Sequence, residues 1–535
     1  MWKIRSYCLR HINCTSVARP SIKQLQTLQA PVTATLSDFT VSSNTMVNNL
    51  YDATGMKITK HQALRARAAI AAAKAGGDEE GFMDTKAWLE QVAAANPTSH
   101  TAFRVSPAGR FDAALFVLPL AVEVLEEVGM PVYCLDGAHV KHKQNKLQLL
   151  VLEGTDGAGN NVLVALCVCL SEDAFNCHWM LQEALKLPKL RALLEAPGTT
   201  IMSDRGTAIV PAVAEALPNA LHVHCSVHML RNVDAYLKKN RQPKLTPRQK
   251  STIWGAQAAA TELEFNAAMS IISVEVPVAY EYLTQKTDAR TWAVCYAQTR
   301  GFKLFGIRSN NPMEGENGRI KPARFVAPLR YLKEVLEMEM RRYLERALEV
   351  EKWYRDGYII THNASNLYQA EEARSKAYNA KPSSENIYFV SQRGLQPVDP
   401  RERRVDLKAK TCSCILWDQL GIPCRHAIAA KQAKDGGTII DALAWFTDAF
   451  APQYNLQNFL KAFSRARGIE LPLAENVCRD EEMLSPLAPP PGVGRPNTLR
   501  FVGAAEGSGG HVSKKQRTCG KCNGRGHNTR TCTAP

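Results

Sequence analysis

Between Pro131 and His224 the chain passes through five short apolar runs in a fixed order, and that order leaves few folds open. Val132-Tyr133-Cys134-Leu135 ends in Asp136-Gly137. The apolar runs Leu147–Leu152 and Val162–Leu170 follow, the second with three valines. Thr155-Asp156-Gly157 and Gly159-Asn160 supply turn chemistry, so the first three runs read as a strand meander. The pattern then predicts an amphipathic helix over 175–194, closed by Pro197-Gly198, and a strand over 199–202 ending at Ser203-Asp204. A helix over 207–217 stopped by Pro218, a strand over 221–224 and a helix from Cys225 complete it. A β-β-β-α-β-α-β-α order builds a mixed sheet with helices on its faces.

That layout is the one of a ribonuclease-H-like core, so the expected fold class is α/β, with a helical lead before the core and small metal modules after it. The 535 residues suit three to four domains. Residues 44–130 read as mainly helical, with Ala63–Ala75 and Thr85–Ala95 rich in Ala, Lys, Arg and Glu. The core is expected over 131–345, with a helical insertion over about 229–300. Residues 346–395 read as a helical connector, continuing a Glu- and Arg-dense helix over 331–354. A Cys/His cluster occupies 396–435, a helical segment 436–485, a Pro/Gly/Ser-rich linker 486–515, and a second Cys/His cluster 516–535.

Lys and Arg number 66 against 51 Asp and Glu, a net charge of +15 that suits a polyanionic partner, most simply nucleic acid. An apolar fraction of 45% argues against wholesale disorder. No apolar run reaches the roughly 18 residues of a membrane helix, so no membrane partner is expected. Fifteen cysteines in a long chain, six of them in the two clusters, point to metal in a reducing compartment rather than to a disulfide scaffold.

Cys412-x-Cys414-x9-Cys424-x-His426 offers three thiolates and an imidazole, a closed tetrahedral zinc set. Cys519-x2-Cys522-x4-His527-x4-Cys532 offers the same donors, with Gly520, Gly524 and Gly526 permitting tight turns. The last segment has almost no apolar core, so metal would supply its folding energy. Two structural zinc sites are expected.

Asp136 and Asp204 end the first and fourth predicted strands, which are neighbours in this topology, and Glu314 opens a later helix. Three convergent carboxylates would hold two Mg²⁺ or Mn²⁺ ions about 3.5–4 Å apart. Each acid also has a plain structural reading. Asp136-Gly137 suits a turn, Asp204 a helix cap, and Asn311-x-x-Glu314 a capping box, with Glu316 a rival for the third position.

Resemblance selects among these. Leu135-Asp136-Gly137-Ala138-His139-Val140-Lys141, Ser203-Asp204-Arg205, His224-Cys225-Ser226-Val227-His228 and Ser309-Asn310-Asn311-Pro312-Met313-Glu314-Gly315-Glu316-Asn317 resemble the acid and CxxH segments of Mutator-like (MULE) transposases. The register of the last favours Glu314 over Glu316. Gly421-Ile422-Pro423-Cys424-Arg425-His426 is similar to the lead-in of a SWIM zinc finger, and the terminal cluster to a CCHC zinc knuckle, a module of single-stranded nucleic-acid binding. Cys225 and His228, one helical turn apart, are expected to be structural or to position DNA. The resemblance implies a nuclear DDE-type transposase. It would cut and join DNA at transposon ends and target through Asp136, Asp204 and Glu314, as a homo-oligomer that brings two ends together.

The first 37 residues hold Lys3, Arg5, Arg10, Arg19 and Lys23 with no acid before Asp38, a bias shared with transit peptides. Trp2-Lys3-Ile4 and His11-Ile12-Asn13-Cys14 instead resemble the tail of the WRKY-like zinc domain of full-length relatives, with Cys8 a poor substitute ligand. Residues 1–43 are therefore expected to be a truncated remnant of that domain. A shortened end-recognition module favours the alternative of a domesticated, non-catalytic DNA-binding regulator. An RNA-binding protein working through the knuckle is a third reading.

Overall fold

The computed structural model describes residue 25 and residues 43–74, 78–139, 147–309, 328–394, 402–473, 477 and 480–486. All lie in the first of two units, Met1–Ala488 and Pro489–Pro535. The terminal cluster, the linker and nearly all of residues 1–43 fall outside the described residues.

Every residue from Val162 to Cys169 is buried, as in a strand covered on both faces. It forms β5 (Asn161–Cys169) near the middle of a seven-stranded sheet. The others are β1 (His100–Val105), β2 (Phe111–Val117), β3 (Gly129–His139), β4 (Gln148–Asp156), β6 (Thr200–Ser203) and β7 (Leu221–His224), in the order β1-β2-β5-β4-β3-β6-β7. Strands β3, β4 and β5 form the expected antiparallel meander. Its β4–β5 turn is fixed by Asp156, whose Oδ1 accepts from Ala158 N and Asn160 N at 2.9 and 2.8 Å. Strand β6 adds parallel to β3, and β7 parallel to β6.

Residues 44–130 depart from the helical expectation. Helices Ser43–Thr54, Lys60–Lys74 and Asp78–Ala95 are followed by the β1–β2 hairpin, which extends the sheet beyond β5. Phe111-Asp112-Ala113-Ala114-Leu115-Phe116-Val117 contains good helix formers, but burial against β5 overrides local propensity. Arg104 on β1 then lies between the rings of Phe175 and Trp179, 4.6 Å from each centroid, and pairs with Asp112. The single helix expected over 175–194 is two, Ala174–Ala184 and Pro188–Leu194. Pro188 sits at the start of the second, where its missing N–H costs nothing.

One core joins the sheet to helices Ala121–Val128, Ala174–Ala184 and Pro328–Arg355. Residues 226–299 after β7 are mainly helical, with a core of their own through Val233, Leu237, Ile253, Met269, Leu283 and Trp292. The connector expected to be helical over 346–395 holds helix His362–Ser375 and then two strands, β8 (Tyr378–Pro382) and β9 (Ile387–Gln392). With β10 (Arg403–Asp406) and β11 (Thr411–Cys412) these form a second, antiparallel sheet in the order β11-β10-β9-β8. Helices Leu416–Leu420 and Arg425–Lys434 join its core. Among the described residues no helix is long and apolar enough to cross a membrane.

Candidate functional site

In the parallel ladder between β3 and β6, Leu135 lies opposite Ser203. The next residues, Asp136 and Asp204, are therefore side by side where β6 ends, on strands that neighbour at about 4.8 Å. Asp136-Gly137 is not a turn: both residues lie inside β3, opposite Val151 and Leu150 of β4. Gly137 leaves room there for the carboxylate of Glu172, which a Cβ would displace. Asp204 is not a helix cap either. Its Oδ1 accepts from Gly206 N at 2.8 Å, bending the chain after β6, whereas helix Ile209–Ala216 is preceded by Ala208.

Glu314 and its rival Glu316 lie outside the described residues, but the approach to them is defined. Cys225 N donates to Ser203 O at 2.8 Å, and Ser226 N donates to Arg308 O at 3.1 Å. Two backbone bonds thus carry the chain from the end of β6 to Ser309, where the third acidic segment begins. Cys225 is fully buried and precedes helix Ser226–Lys239; His228, one turn later, lies with Nε2 3.4 Å from Arg231 Nη1. His224 Nδ1, Ser226 Oγ and His228 Nδ1 are buried with no hydrogen-bond partner among the described residues.

Sequence reasoning passed over the groups that frame Asp204. Ser203 Oγ donates to Asp204 O at 2.6 Å and lies 2.8 Å from His222 Nε2. A hydroxyl has one proton, so His222 is the donor to Ser203, neutral and protonated on Nε2. Burial pushes both His222 and His224 down to about 4. Arg205 turns away to the helical region, donating to Tyr282 Oη at 3.0 Å and to Lys286 O.

The second site is complete within the described residues. The ligand atoms of Cys412, Cys414, Cys424 and His426 all lie within 4.8 Å of one another. His426 Nδ1 is 3.8 Å from both Cys412 Sγ and Cys424 Sγ, close to the edge of a tetrahedron with zinc bonds of about 2.0–2.3 Å. Cys412 leaves β11, while Cys424 is the N-cap of helix Arg425–Lys434 and so points its thiol back at the hairpin. Thiols packed this tightly share protons unequally: hydrogen bonding from Cys412 holds Cys414 far below the usual range, and Cys412 itself is pushed up to about 12 by Cys414. Bound zinc would let all three ionise.

Glu371, from helix His362–Ser375, fixes this site from outside. It accepts from Arg425 N, Nε and Nη2 at 3.0, 2.9 and 2.9 Å, pinning the residue between Cys424 and His426. No spacing signal marked it, since it precedes Arg425 by 54 residues.

The chain was compared with known proteins. Residues 132–232 match the MULE transposase domain, residues 190–328 the Mutator family of transposases, and residues 399–435 the SWIM zinc finger. No curated protein matches the chain. The acid pair falls within the first match and the zinc ligands within the last: the chain carries a segment similar to the MULE transposase domain, followed by one similar to the SWIM zinc finger.

Proposed function

We propose that this chain is a DDE-type DNA transposase that cuts and joins DNA strands on a ribonuclease-H-like core. The observation that carries the reading is that Leu135 and Ser203 are partners in the β3–β6 ladder, so that Asp136 and Asp204 each follow directly where β6 ends. The order β5-β4-β3-β6-β7, antiparallel among the first three and parallel among the rest, supports the ribonuclease-H-like assignment. Glu314 is the third acid, delivered by the segment that enters at Ser309. Carboxylate oxygens suit hard cations, so these three would hold Mg²⁺ or Mn²⁺. When bound, two such ions supply an activated water or 3′-hydroxyl and stabilise the leaving oxygen of an in-line displacement at phosphorus. The protein's part is to align the carboxylates at the end of β6, where the adjacent strand β7 carries His222 and His224.

The SWIM module is a structural zinc site, and the CCHC knuckle a second one that engages single-stranded nucleic acid. The chain acts in the nucleus on transposon ends and target DNA, as a homo-oligomer that holds two ends together. Asp136→Asn and Asp204→Asn should each abolish Mg²⁺-dependent cleavage of terminal-repeat DNA, by at least a hundredfold, while gel-shift affinity stays within a factor of two or so. Cleavage persisting in both variants rejects the assignment. A wild-type chain that binds DNA but cuts with neither Mg²⁺ nor Mn²⁺ would instead be a non-catalytic DNA-binding regulator.

A further inference from the structure

Helix Ser226–Lys239 begins beside Asp204 and ends in a basic elbow. From Lys238 to Lys250 the chain carries Lys238, Lys239, Arg241, Lys244, Arg248 and Lys250 and no acid. Two of these cations are neutralised: Lys250 Nζ lies 3.0 Å from Asp234 Oδ2, and Arg248 Nη2 lies 3.0 Å from Glu275 Oε1. Lys239, Arg241 and Lys244 are exposed, and among the described residues they make no ion pair.

The elbow is built, not loose. Leu245 is buried in the helical core, and its N–H donates to Asp234 Oδ1 at 2.9 Å. Gln242 N donates to Leu237 O at 2.8 Å. Thr246 and Gln249 cap the next helix reciprocally, with Pro247 at its first position. Arg241 itself sits at φ +58, a left-handed conformation that a side chain of this kind rarely adopts. A fold that fixes three like charges in one bend and brings no acid to them is arranged for an anion outside the protein.

The distance to the acid pair is fixed too. The helix spans 14 residues, about 21 Å at 1.5 Å per residue. Arg205 bonds Tyr282 and Arg308 Nη1 donates to Gln257 Oε1 at 3.2 Å, so the helical region cannot swing freely against the sheet. We propose that Lys239, Arg241 and Lys244 grip the phosphate backbone of duplex DNA about 20 Å from the acid pair, or roughly six base pairs at 3.4 Å each. This rests on the transposase reading: it names the surface that holds the duplex while a strand enters the carboxylates.

The test uses the full chain and a terminal-repeat duplex, with binding followed against salt. Each phosphate contact contributes about −0.9 to the slope of log K against log salt. Lys239→Gln/Arg241→Gln/Lys244→Gln should flatten that slope by about 2 to 3. Lys352→Gln/Arg355→Gln/Lys376→Gln, an equal loss of charge elsewhere, should change it by less than about 1. Among the described residues the three elbow side chains have no ion-pair partners to lose, so the thermal melt should not move, and Arg241→Lys should keep the wild-type slope. A variant slope equal to wild type overturns the proposal, as does a loss confined to RNA. A wild-type chain that binds no duplex at all overturns the transposase reading as well.

Discussion

At the scale of single residues, the zinc ligands were legible because chemistry restricts the spacing of four soft donors, and the sequence preserves that spacing. The residue that aims them was not. Glu371 contacts no ligand, yet its three hydrogen bonds hold Arg425, flanked on both sides by ligands. Burial alone would raise its carboxyl, but the hydrogen bonds from Arg425 and Arg374 outweigh that and hold it below the usual range. Groups that orient ligands from behind are typically worth 10–100-fold in metal affinity. Glu371→Gln should therefore weaken zinc by about that factor in competition with a chromogenic chelator, without unfolding the chain. An unchanged affinity would reduce Glu371 to an ordinary ion pair. Asp136 shows a different limit. Asp-Gly is a strong turn signal, yet it lies inside β3, where the glycine leaves room for the carboxylate of Glu172.

At the scale of elements, the five-strand pattern was readable because buried strands leave long apolar runs. The β1–β2 hairpin was not, since its partner β5 lies 44 residues past the end of β2 and no local signal announces the pairing. The β6–β7 pair carries a pH consequence. His222 and His224 fold in their neutral forms, with pKa values brought from 6.5 to about 4 chiefly by burial. Between those values the unfolded chain binds protons that the folded chain does not. Stability from these histidines is thus complete above pH 6.5 and falls away as the pH drops toward 4. Each contributes at most about 3 kcal/mol over that window. Thermal melts should fall steeply from pH 7 to 5, and His222→Gln, which keeps a donor toward Ser203, should soften the fall. Equal slopes in the two proteins would show that the acid sensitivity lies elsewhere.

At the scale of the whole molecule, the zinc module and the sheet are joined by a strap invisible to any local reading. Residues 302–306 run along helix Leu416–Leu420, which lies between the ligands Cys414 and Cys424. Buried Gln419 accepts from Leu304 N at 3.1 Å and donates to Phe302 O at 3.0 Å, and its own carbonyl accepts from Phe305 N at 3.1 Å. Lys303 Nζ lies 3.1 Å from Asp418 Oδ1. The same strap continues to Arg308, whose carbonyl accepts from Ser226 N next to the Cys225–Ser203 bond, so zinc bound in one module would also hold the approach to the acid segment. Chelating zinc should do two things at once. Trp417 and Trp445, buried with centroids 6.0 Å apart, should shift their emission to the red. The amides of Leu304 and Phe305 should lose protection from hydrogen exchange, while those of β4 and β5 keep theirs. Gln419→Ala separates the two effects. It strands a buried N–H and C=O at about 1–3 kcal/mol each, so the strap should open while zinc stays bound and the tryptophan emission stays put. Strap amides that remain protected after chelation would mean that the sheet, not the zinc module, holds that segment in place.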